Sequence, residues 1–558
     1  MRGRRRVAAL TALALAAGLT ACAPAMPESV IPGTKVVVGW TGSLTSTNAA
    51  ASPTSGNTDI AALTRARFGD VIDGDFVADE SFGTVTILEE EPFTVRYDLA
   101  EPAWSDSIPL DAADLLLGWA GAAGYFLPDK ASVPDVPIPV ADEFARSIDV
   151  TYAQPVSDWQ SFVTVPVPAH VLGEHALGID DPMEAKQAIL TAIRTGDDSA
   201  LEKMRTAWNE GFEIGEGAVA SELLLSSGPF VLAADGADAD GAVALVPNSE
   251  FRGAVTPQVA RIELTPPGED PLAAVGEQVD AVQVRPVAAN RDAIRELERK
   301  DFTVQTTNDG TLWSMLLRPN GVFSDVRART SFMHSAPARD LMDAGAGVWT
   351  TAYAPSTSMT AIPNSRAYDI VNEDSGFAQT LGATDADPVA ERAAAGLPSG
   401  TRVCVLYDRG SEFARGAFSA LRTAAGEAGW RVADCGSDDL QAALEKRDWD
   451  AVIMRVPIPQ SPADIAAQWS TGGAASITGQ TDPARDELIA QLAQTTDVYE
   501  AREIHAQIEA TIVRAAVALP IAANPVVTIT DRNLSGVSVR GGATAPLMSD
   551  AAQWAVVP

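Results

Sequence analysis

The residues Phe93-Thr94-Val95-Arg96-Tyr97-Asp98-Leu99, followed by Pro102-Ala103-Trp104-Ser105-Asp106-Ser107-Ile108-Pro109-Leu110-Asp111-Ala112-Ala113-Asp114, decide how the chain is read. Phe93, Val95, Tyr97 and Leu99 fall on one face of an extended segment, and Thr94, Arg96 and Asp98 on the other. That alternation predicts a half-buried antiparallel strand, with residues 84–88 as partner across the acidic turn 89–91. Asp111 then caps a helix running to Trp119, and Asp114 sits three residues on, near the helix's positive end.

Upstream, Lys35-Val36-Val37-Val38-Gly39-Trp40 reads as a buried strand, and residues 41–57 as a long polar loop of the kind that often binds ligands. At the very start, Arg2, Arg4, Arg5 and Arg6 precede an apolar run from Val7 to Ala21. The run is too short to span a bilayer comfortably but suits a signal-peptide core. It closes on Leu19-Thr20-Ala21-Cys22, which resembles a bacterial lipobox: cleavage before Cys22 and a lipid on its sulfur. The alternative is a plain secretory signal with an incidental cysteine. Residues 1–21 are thus expected to be signal and 22–33, with their prolines, a flexible tether.

The chain of 558 residues carries 40 basic and 74 acidic residues, a formal net charge of −34. Such a surface disfavours nucleic acid and anionic lipid headgroups as partners. Besides Cys22 there are only Cys404 and Cys435, which in an oxidising compartment either pair or stay as small buried hydrophobes.

Downstream, strands are expected at 230–233, 243–246, 259–264 and 279–284, and a helix over 325–342. Residues 402–407, 412–428, 431–433, 440–446 and 450–454 alternate strand and helix, so a parallel sheet is expected there. Two helices follow, over 483–494 and from 498 to Pro520, and then an extended segment 521–529.

Catalytic signatures are scarce. The four histidines are His170, His175, His334 and His505, and the spacing of the first two is wrong for paired zinc ligands on a helix face. There is no Gly-x-Ser-x-Gly elbow and no phosphate cradle. Trp313 and Trp349 either pack in the core or stack on a ligand. Arg318 and Arg455, inside apolar stretches, either pair with buried acids or meet an anionic ligand group.

The opening stretch resembles a signature of the family 5 extracellular solute-binding proteins of ABC importers, where Trp-Ser-Asp-Gly-x-Pro follows a strand. Ser227-Gly228-Pro229-Phe230, Pro247-Asn248-Ser249-Glu250-Phe251-Arg252-Gly253, Phe323-Ser324-Asp325-Val326-Arg327-Ala328-Arg329, Asp448-Trp449-Asp450-Ala451 and Asp482-Pro483-Ala484-Arg485-Asp486-Glu487-Leu488 resemble its later landmarks, in order. The resemblance implies an α/β, two-lobed periplasmic-binding-protein-like fold, type II, in the large peptide-binder variant with an extra subdomain. Lobe I would be 34–310, with the subdomain at about 63–159; lobe II would be 311–519, and 520–558 would return to lobe I.

It further implies a non-enzymatic, lipid-anchored, extracytoplasmic monomer without cofactor. This receptor would close on a small peptide or other solute and deliver it to a permease and ATPase complex. Trp40, Thr41, Ser43, Asn48, Trp313, Arg318, Trp349 and Arg455 are the candidate pocket walls. Two departures stand out. Ser107 occupies the usual glycine, and Met454-Arg455-Val456-Pro457-Ile458-Pro459 lacks the tryptophan and the aspartate that hold a peptide's amino group in peptide-binding members. Either another acid serves, or the ligand is a non-peptide solute such as a sugar, an opine-like compound or a chelated metal. A surface hydrolase and a structural or signalling lipoprotein are the competing classes.

Overall fold

The computed structural model describes residues 26–72, 74–127, 136–141, 145–215, 219–237, 241–363, 365–539, 541–542 and 547–557. The signal, Cys22 and the start of the tether lie outside them.

The backbone is organised by one sheet of eleven strands that runs through both halves of the molecule. At one end, Thr401–Tyr407 lies between Trp430–Asp434 and Ala451–Pro457, parallel to both. The helix Glu412–Glu427 makes one crossover, its buried stripe of Phe413, Ala417, Leu421 and Ala425 set at helical spacing. At the other end lie Ala281–Val284, Ile31–Gly39, Val259–Thr265, Val243–Pro247 and Phe230–Ala237. The expected strands are therefore present, and both faces of the parallel part are covered by helices and apolar clusters.

Two long antiparallel strands, Thr303–Leu317 and Ala518–Thr530, join the halves. Residues 303–308 of the first pair with 525–530 of the second, and 312–316 with 518–523, with a register shift between. Gly310 sits at the break with φ +76°, a conformation open to glycine, and Pro525 cannot donate to the ladder. The helix Val498–Ala515 ends in the left-handed Ala516, four residues before Pro520, which lies inside the second crossing strand. The expected helix over 325–342 is two helices, Val326–His334 and Ala338–Ala346, because Pro337 excludes its predecessor from helical geometry.

The opening stretch builds a separate unit. Gly83–Glu90, Phe93–Leu99 and Ser147–Thr151 form a three-stranded sheet, covered by Ala112–Ala122 and the helices between 169 and 210. Its core runs from Phe68 to Phe212, so the unit extends well past the expected limit near residue 159. Asp114 is its hub. The carboxylate accepts from Trp104 Nε1 (3.2 Å), the Asp111 amide (3.1 Å) and the Ala169 amide (3.0 Å), and pairs with Lys186 Nζ at 2.7 Å. Lys186, 2% exposed, also reaches Asp111 at 3.0 Å and the Pro109 carbonyl at 2.6 Å. The Ser105 amide donates to the Ser226 carbonyl, the Ser226 amide donates to Ser105 Oγ, and Asn248 donates to the Ser226 and Gly228 carbonyls, so three landmark motifs meet at one junction.

Within the expected tether of 22–33, residues 29–31 are tied to the fold. Ser29 Oγ donates to the Pro257 carbonyl, the Ile31 amide donates to Gln258, and Ile31 pairs with Val259.

Candidate functional site

Where the crossing strands break register, four side chains from three strands meet. Asp309 Oδ2 accepts from Asn524 Nδ2 (2.6 Å) and from Arg455 Nη1 (3.2 Å). Asn524 Oδ1 accepts in turn from Trp313 Nε1 at 2.8 Å, and the Arg455 guanidinium lies 5.9 Å from the Trp313 ring. Trp313 stacks on Phe413, and Phe413 on Tyr353, with centroids 4.5 and 5.0 Å apart. Burial pushes the Tyr353 hydroxyl up to about 12. Arg455 and Asp309 retain 32% and 27% side-chain exposure, so the pair borders solvent at the hinge.

The neighbouring residues of these strands face the other side of the sheet. Leu312, Val456 and Ile458 join Ile362 and Ile465 there. The Ile458 amide donates to Gly310, and the next residues, Pro459, Gln460 and Ser461, enter a cavity of about 430 Å³. One wall comes from the first half, with Asp75, Phe76, Asp158 and Trp159; the other comes from the second, with Ile362, Gln460, Arg502 and His505. The volume falls in the range of small-molecule sites.

The charges of this cavity are mostly spent. Arg502 Nη2 pairs with Asp75 at 3.0 Å across the halves. His505 Nε2 meets Thr360 Oγ1 at 2.8 Å, and burial lowers its pKa to about 4, so it is neutral at neutral pH. Glu509 is fully buried below, with its carboxyl pushed up by burial, and takes hydrogen bonds from Ser358, Met359 and Thr360. It fixes the loop that lines one wall. Asp158 alone presents a carboxylate with no ion-pair or side-chain hydrogen-bond partner among the described residues.

On the opposite side of the hinge the halves also touch. Trp349 Nε1 donates to the Val287 carbonyl (2.8 Å), and Glu412 Oε2 accepts from the Ala288 amide (3.0 Å).

The structure brings together only some of the sequence candidates. Trp313 and Arg455 meet at the hinge, and Trp349 bridges the halves nearby. Thr41 and Ser43 are exposed where the Ile31–Gly39 strand leaves the sheet. Trp40 is instead a core residue held by Asp59, because an indole that size buries most of its area in the sheet core. Asn48 is buried and spends its amide on the Trp208 carbonyl. Arg318 lies at the far end of its strand from the hinge, donates to the Arg447 carbonyl and covers the Trp449 ring at 5.5 Å. These three bond to protein partners and do not line the cavity. Cys404 and Cys435 form a disulfide, with Cα atoms 5.7 Å apart. Among the described residues no group of three or more potential ligands could hold a metal ion, and no helix is long and apolar enough to cross a membrane.

Asp309, Asn524, Asp75, Asp158 and Arg502 are not among the sequence candidates. Asn524-Pro525 inside an apolar run was a legible sign of an interrupted strand; the others sit in ordinary polar surroundings and carry no local signal.

No family model matches the chain. An uncharacterised lipoprotein of Mycobacterium tuberculosis is 28% identical over 456 residues, covering 78% of this chain and 75% of that protein. One of Mycobacterium leprae is 25% identical over 296 residues, covering 51% and 50%. Among solved structures, a periplasmic EDTA-binding protein superposes with a TM-score of 0.76 at 17% identity, covering 96% of this chain and 98% of that one. An ABC transporter substrate-binding protein from Listeria monocytogenes gives 0.72 at 16% identity, covering 94% and 100%. The oligopeptide-binding protein of Bacillus subtilis, in complex with a nonapeptide, gives 0.63 at 12% identity, covering 94% and 99%. The chain therefore has the two-lobed fold of ABC-transporter substrate-binding proteins. The solved structures it resembles are solute-binding proteins, not enzymes.

Proposed function

We propose that this protein is a lipid-anchored extracytoplasmic receptor that captures a short peptide between its lobes and presents it to an ABC permease. The observation that carries the reading is the 430 Å³ cavity walled by both halves, which two interrupted crossing strands allow to open and close. A ligand touching both walls stabilises the closed state by its differential affinity for it. The free carboxylate of Asp158 offers the ammonium acceptor that the segment 454–459 lacks, and Phe76, Trp159 and Ile362 offer apolar contact. Arg455 is committed to Asp309, which weakens the case for an anionic solute at the hinge. The lipoprotein relatives and the lipobox support the anchored location.

Native mass spectrometry of the chain without its anchor tests the reading. Copurified peptides of mixed sequence, lost in Asp158→Asn, are the expected result. A protein that retains a non-peptide solute, or takes up nothing from peptide pools, would overturn it.

A further inference from the structure

The point where the chain leaves the fold toward Cys22 carries an exposed apolar patch. Met26, Ile31 and Val255 are 51%, 46% and 45% exposed, and the Ser29–Pro257 and Ile31–Gln258 contacts hold the two segments side by side. Single exposed apolar residues are ordinary; three around one chain exit are a surface with a shape. Only four peptide units separate Cys22 from Met26, a reach of about 14 Å at full extension. Among the described residues, the first hydrogen bond from this segment to the rest of the fold is at Ser29, three residues further on, so a lipid on Cys22 holds this face toward the headgroups.

The charge around the patch fits that position. Lys35 pairs with Glu263 at 3.0 Å, Arg261 with the same carboxylate at 2.9 Å, and Arg252 with Glu250 at 3.6 Å, so three cations gather on a face of a strongly acidic chain. Elsewhere a chain of net −34 would be repelled by an anionic leaflet.

We infer that this face rests on the membrane, with Met26, Ile31 and Val255 inserted at headgroup level, which rests on the lipid-anchor part of the proposed function. The strand Ile31–Gly39 then rises from the membrane face, and at about 3.3 Å per residue lifts the hinge level roughly 30 Å above the lipid. The receptor would be docked in one orientation, cleft facing sideways at a fixed height, instead of swinging on a long tether.

The test uses the full lipidated chain in vesicles of phosphatidylcholine with a fifth phosphatidylglycerol. An environment-sensitive label at Val255→Cys is compared with one at Tyr499→Cys, an exposed position on the helix Val498–Ala515 of the second half. Several-fold stronger quenching by headgroup-proximal spin-labelled lipid at 255 than at 499 is expected. Equal quenching at both sites, in protein that still floats with the vesicles, would overturn the docking. Failure to float at all would overturn the anchor itself, and the docking with it. A dimer of the unanchored Cys22→Ser chain that Val255→Glu splits, seen by sedimentation, would assign the patch to a second copy and overturn the proposal too.

Discussion

Arg502, on the helix Val498–Ala515 of the second half, donates to Asp75 of the first half at 3.0 Å, with the arginine side chain 13% exposed and the aspartate 42%. This is a contact that exists only while the halves are together. Asp75→Asn removes its charge and keeps its size, and should weaken the closed arrangement by about 1 kcal/mol, roughly a fivefold shift in population. Small-angle scattering of ligand-free protein should then give a larger radius of gyration than the parent. Identical profiles would show that the ion pair does not hold the halves.

The Asp114–Lys186 pair concerns stability, not binding. Lys186→Met leaves two buried carboxylates facing each other without a cation, a change expected to destabilise by about 3–5 kcal/mol. Denaturant unfolding should show a lower midpoint for the 68–212 unit. A loss under 1 kcal/mol would mean the cluster is solvated.

Ser107 has φ +71°, the left-handed region where L side chains are strained, and it occupies the position that is glycine in the family signature it resembles. Ser107→Gly should therefore stabilise by about 0.5–1 kcal/mol, after the greater chain entropy of glycine is subtracted. Thermal unfolding would register a small upward shift in Tm; a downward shift would show that the hydroxyl matters more than the strain.

His505 predicts a pH dependence. Its folded pKa, lowered to about 4 by burial, lies below the ordinary 6.5, so the unfolded state takes up protons first as the medium is acidified. The stabilisation is fully present above pH 6.5 and is lost progressively as pH falls toward 4, by about 3 kcal/mol at most. His505→Gln should flatten that part of the profile relative to the parent, measured by denaturant midpoints at pH 7.5 and 4.5. Parallel profiles would mean the imidazole titrates normally.

The motifs through which the family resemblance was legible turn out to be structural knots. Asp114 knits Trp104, Ala169 and Lys186 together inside the small unit, and Ser226, steadied by Asn248, ties that unit to the first half through Ser105. Arg329 takes the carbonyls of Phe323 and Ala515, and Asp450 takes the Cys404 amide. Many of their bonds reach far along the chain, to Ala169, Lys186 and Ala515, but the capping and turn residues around them are local signals. Asp75, Asp158 and Arg502 carry no such local signal, and that they line one cavity depends on how the halves pack. The same holds for Arg455, whose partner Asp309 is 146 residues away.

The sequence by itself therefore determined the strands, the alternation of strand and helix in the second half, and the signature stretch from Phe93 to Asp114, because period-2 and period-3.6 patterning and capping are local consequences of backbone geometry. Only the tertiary structure decided the register break between the crossing strands, that Arg455 is neutralised by Asp309, and that, among the described residues, the cavity's unpaired carboxylate belongs to Asp158. Those outcomes rest on contacts between residues far apart in the chain, whose energies are set by burial and by which charges meet.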